Sequence, residues 1–70
     1  MTPQEFRRIR EMYGPDQKGL AILLGFADAN QIHRMETGKR GITPQTAILM
    51  RLIERDPVAV AIASHKEQNQ

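Results

Sequence analysis

The sequence predicts an all-α fold, a compact bundle of about five short helices, and three observations carry that prediction. Capping signals recur along the chain: Thr2-Pro3, Asp16, Asp28, Thr43-Pro44 and Asp56-Pro57. Behind them, apolar residues repeat three and four positions apart, the spacing of one helix face. Glycines close the segments: Gly14-Pro15, Gly25 and Gly38 fall where the chain has to leave the helix.

Thr2-Pro3-Gln4-Glu5 is a capping box with proline at the first helical position, so the first helix starts there. Phe6, Ile9, Met12 and Tyr13 form its inner stripe. Arg7, Arg8 and Glu11 face water, and Arg10 lies at the stripe's edge. Asp16 caps a second helix with Leu20, Leu23 and Leu24 inside, which Gly25 stops. Ile22 points away from them, as a tolerated exposed residue or as part of a contact surface.

The third helix starts at Asp28, with Gln31 placed as its capping-box partner. On a wheel of about 100° per residue, Ala29, Ile32, Met35 and Glu36 share one side. Asn30 and Arg34 lie opposite, flanked by Gln31 and His33. Gly38-Lys39-Arg40-Gly41 is a glycine-bracketed basic loop. A fourth helix is expected over 44–55, where Ala47, Ile48, Leu49, Met50, Leu52 and Ile53 cover more than one stripe. The fifth is expected over 57–64, with a polar tail at 65–70. Met12, Met35 and Met50 read as core fillers.

Seventy residues make one domain near the lower limit for a self-sufficient core, with 1–64 as the domain and 57–64 as its dimerisation segment. No cysteine means no disulfide and no thiolate for a zinc site, and nothing pairs His33 with His65 as metal ligands. A formal charge of +2 and a pI near 9.5 are a weak footprint for nucleic acid, so any contact depends on local placement of charge. There is one serine, Ser64, and no HExxH, Walker or GxSxG pattern; no enzyme, cofactor or metal is expected. No signal peptide or membrane span is visible, and a cytoplasmic location is expected, nucleoid-associated when on DNA.

The combination Gln17, Leu20-Ala21, Leu24-Gly25, Ile32, Arg34, Glu36 and Gly38 resembles the Cro/C1-type (XRE-like) helix-turn-helix of phage repressors and small bacterial regulators. The resemblance covers roughly 5–53 and implies a lambda-repressor-like fold, with the second and third helices as the motif. From Gly25 to Ile32 the chain is one residue longer than the commonest version, so the turn Phe26-Ala27-Asp28 is extended.

The expected function is that of a sequence-specific transcriptional regulator, a repressor on a palindromic operator. Ala29, Asn30, Gln31, His33 and Arg34 are the expected base readers, although such a face taken alone is also an ordinary solvated surface. Gln17 and Lys18 sit at a helix N-terminus, which favours an anion, and the resemblance implies a DNA phosphate there; Lys39 and Arg40, between glycines, are the other expected phosphate contacts. An inward carboxylate at Glu36 needs a partner; Arg10 is the candidate, and an Arg–Glu pair in those places is what the resemblance implies. The surplus apolar surface at Leu49, Leu52, Ile53, Val58 and Ile62 points to a homodimer. A rival class is a protein-interaction module, such as an antitoxin or adaptor with a toxin or other protein as partner.

Overall fold

A computed structural model describes residues 1–58 and residue 60, and these form four α-helices with no strand among them. They are α1 (Pro3–Tyr13), α2 (Gln17–Leu24), α3 (Ala29–Glu36) and α4 (Pro44–Arg55). The described helices number four, not five: Pro57, Val58 and Val60 are helical, but the rest of the segment expected as a fifth helix lies outside the described residues, with the tail at 65–70.

Each helix begins on the side chain that the sequence offers for it. Thr2 accepts from the Glu5 N–H at 3.1 Å, and the Glu5 carboxylate takes the Thr2 N–H in return at 3.2 Å, a complete capping box. Asp16 accepts from the Gly19 N–H at 2.7 Å, Asp28 from the Asn30 N–H at 3.0 Å, and Thr43 from the Thr46 N–H at 3.2 Å. α2 and α3 end in the same way. After α2, Gly25 turns left-handed (φ 80°); its N–H donates to the Ile22 carbonyl, and the Phe26 N–H reaches back to Ala21 at 2.8 Å. After α3, Gly38 (φ 79°) does the same, with its N–H on Met35 and the Lys39 N–H on Arg34 at 2.9 Å. Both are Schellman closures, which need a residue free of a Cβ at the left-handed position.

α2 packs most extensively on α3, and α1 spans the two halves by packing on α4 and on α3. Phe6, Ile9, Leu20, Ala21, Ile32, Met35, Met50 and Ile53 form the core. Ile53 therefore belongs to the core at 1 % exposure and is not available as an interface residue: α4 turns Thr46, Met50 and Ile53 inward. Met12 is also not a core filler. The last turn of α1 sets Tyr13 against the core and leaves Met12 half exposed. Ile48, Leu49, Leu52 and Val58 remain exposed, as does Ile22.

Candidate nucleic-acid interface

The connection between α2 and α3 is four residues, 25–28, so the two helices are held as one unit. α3 divides as the wheel requires. Ile32 and Met35 are fully buried, while Asn30, His33 and Arg34 are exposed. The remaining two expected readers are less free: Ala29 and Gln31 are half-buried.

Glu36 closes the inner side. Arg10 grips its carboxylate with Nε at 2.6 Å and Nη2 at 3.1 Å, and its Nη1 also reaches the Pro15 carbonyl at 3.2 Å. The side chains are 13 % and 4 % exposed, so this is a nearly buried, two-pronged pair. Its hydrogen bonds with Glu36 hold the Arg10 guanidinium above its usual, already high pKa, against the opposing effect of burial. Gln17 Nε2 donates to the same carboxylate at 3.2 Å. The Gln17 amide is thus committed to the ion pair. The α2 N-terminus, in turn, already carries the Asp16 carboxylate, which leaves Lys18 as the cation there.

After α3 the basic loop folds back along the helix. The N–H groups of Lys39 and Arg40 both donate to the Arg34 carbonyl, at 2.9 and 3.1 Å. The Arg40 guanidinium lies 5.4 Å from the centre of the Phe26 ring, within cation–π range, and its Nη1 donates to the Gln31 side-chain oxygen. Gln31 therefore does not complete a capping box with Asp28. Arg40 holds its acceptor end instead. Sequence reasoning missed both Phe26 and this pairing. The available signal was Phe26 directly behind Gly25, where a Schellman closure turns the side chain back over the helix end.

The cations sort into two groups. On α1 and α4, Arg7 pairs with Glu11 at 2.8 Å, Arg8 with Glu54 at 2.6 Å, and Arg51 with both Glu5 (2.7 Å) and Glu54 (3.1 Å). The contacts with Arg51 and with the Thr2 backbone N–H hold the Glu5 carboxyl down at about 2, from an ordinary 4.5. Around α3, Lys18, Arg34, Lys39 and Arg40 have no carboxylate partner among the described residues, and neither has Arg55 at the end of α4. Beside this group a shallow groove of about 230 Å³ is lined by Ala21, Ile22, Phe26, Ala27 and Ala29, with Lys18 and Asp28. Among the described residues no three His, Asp or Glu side chains could together hold a metal ion. No helix among them is long and apolar enough to cross a membrane.

Comparison with protein-family models, with curated proteins and with solved structures returns no match for this chain.

Proposed function

We propose that the protein is a sequence-specific DNA-binding regulator, a repressor, with α2 and α3 as a helix-turn-helix and α3 as the helix that enters the major groove. The observation that carries this reading is the sorting of charge. The α1 and α4 cations are neutralised by carboxylates, Arg55 excepted, whereas Lys18, Arg34, Lys39 and Arg40 around α3 are not. A net charge of +2 hides this local excess. Asn30, His33 and Arg34 are exposed on an eight-residue helix whose other face is anchored in the core, which suits side chains that must meet base edges in fixed register.

The regulator acts as a homodimer through the exposed apolar side chains of α4, Leu49 and Leu52 with Ile48, and through Val58. Ile62, expected on the same interface, lies outside the described residues. Two-fold pairing would set two α3 helices about 34 Å apart, one DNA turn, and call for a palindromic operator. A gel shift against the DNA upstream of the protein's own gene, with random-sequence selection to recover the operator, tests the reading. Binding with a steep salt dependence and a selected half-site is the expected result. Binding that is equal for all sequences would reject it.

The groove at Ile22 favours a second reading, a protein-interaction module of antitoxin or adaptor type, because exposed apolar surface beside polar side chains is the usual dress of a protein-binding site. Failure of the protein to bind any DNA while capturing a defined protein partner would select this alternative.

A further inference from the structure

Resting on the DNA reading above, we propose that Arg40 is a positioning residue for base selection: it holds Gln31 by its oxygen, so that Gln31 reads DNA through its N–H groups and prefers guanine to adenine. A glutamine amide has an acceptor end and a donor end, and a free one matches adenine, which offers N7 as acceptor and its amino group as donor. An arginine carries only donors. It can bind a glutamine at one end alone, so the Arg40–Gln31 bond fixes which way the amide faces. The N–H end makes no hydrogen bond among the described residues and is open to solvent. The cation also stands beside the oxygen that an adenine amino group would have to approach.

Guanine presents two acceptors, N7 and O6, on its major-groove edge, and so fits a reader restricted to donating. Arg40 is itself held from three directions. Phe26 stacks on its guanidinium, the Arg34 carbonyl binds its backbone N–H, and the Gly38 turn sets the loop's path. No carboxylate competes for it among the described residues. The pair is half-buried on both sides, and the guanidinium keeps further N–H groups for a phosphate. A phosphate contact alone carries no base preference, and this separates the two roles in experiment.

The test is DNA selection followed by sequencing on wild type, Arg40→Met, Arg40→Lys and Lys39→Ala, with the side-chain amide signals of Gln31 recorded by NMR in free protein. Wild type should favour guanine at one position of each half-site. Arg40→Met should shift the guanine-to-adenine ratio there by about tenfold toward adenine, the scale of one base contact. Arg40→Lys, which can still donate to the Gln31 oxygen, should retain most of the preference, and Lys39→Ala should leave it unchanged. In free protein, Arg40→Met should move the Gln31 amide signals. Unmoved amide signals would overturn the pairing itself, without reference to DNA. Moved signals with the guanine preference intact in Arg40→Met would overturn the proposal and make Arg40 a phosphate contact. A wild type that selects no sequence, with the amide signals still sensitive to Arg40, would instead reject the DNA reading and the proposal's function with it.

Discussion

Arg10 and Glu36, 26 positions apart, meet through two hydrogen bonds, and the carboxylate end of the pair is 4 % exposed. This ties α1 to the inner face of α3, where Gln17 joins it from the first turn of α2. Removing one partner strands the other in a nearly dry site. Glu36→Ala should cost about 3–5 kcal/mol, and Arg10→Met with Glu36→Leu together should recover much of that loss. Urea unfolding measures both; a Glu36→Ala variant as stable as wild type would refute the structural role.

A second expectation separates reading from anchoring. Arg34→Ala or Asn30→Ala should cost about 1–3 kcal/mol on the selected operator and relax preference at particular base pairs. Lys39→Ala should weaken all DNA alike and shallow the salt dependence by about one unit. Should Lys39→Ala alter base preference while Arg34→Ala leaves it intact, α3 is misassigned.

The turn behind α3 gives a third. Gly38 has φ 79°, and a Cβ there would meet only the Pro3 ring at an ordinary 3.8 Å. The cost of Gly38→Ala is therefore conformational, about 1–2 kcal/mol, and it falls on the turn that aims Lys39 and Arg40. The Tm should drop modestly while affinity for DNA falls further. Equal effects on both would show that the loop's path does not matter to binding.

Association should respond to α4. Leu49 and Leu52 are 44 % and 49 % exposed, and burying such side chains is worth about 25 cal/mol per Å². Leu52→Glu should give a monomer by sedimentation equilibrium with the helical content kept, whereas Ile53→Glu, at a core position, should unfold the domain. A wild type that is monomeric at micromolar concentration would move dimerisation onto the DNA.

Acid should weaken the contacts that join α1 to α4. The Glu5 carboxyl lies near 2, against 4.5 unperturbed, and Glu54 is also lowered by its bonds to Arg8 and Arg51. Their folded-state pKa values are depressed, so the stabilisation is complete above the unfolded value of 4.5 and is lost as pH falls from there toward about 2. Melting curves between about pH 6 and about pH 2.5 should show it, and Glu5→Gln should flatten part of that dependence. An unchanged slope in Glu5→Gln would mean that solvent screens the pair completely.

Much of the fold is legible in the residues because it is local. Thr2, Asp16, Asp28 and Thr43 cap the helices that the sequence assigns to them, since a cap is decided within three or four residues. The division of α3 follows from its own periodicity. α4 is harder: with apolar residues on several sides, its wheel does not say which stripe meets α1, and the expectation of an outward Ile53 fails because Met50 and Ile53 turn in together. The Arg40–Gln31–Phe26 cluster is out of reach for another reason. It depends on where two glycine turns deliver the chain, and that is set by backbone hydrogen bonds rather than by side-chain pattern.

The two ends of α3 have a bearing on how such a protein could change its target over generations. Asp28 fastens the helix in front and the Gly38 turn fastens it behind, while Ile32, Met35 and Glu36 hold it from below. Asn30, His33 and Arg34 take no side-chain part in any of those fastenings. They can be exchanged like type in a fixed frame. Substitution at these three positions therefore needs no stabilising change elsewhere, and on the DNA-binding reading proposed above a duplicated copy of the gene would be free to drift to a new operator while its fold stands still.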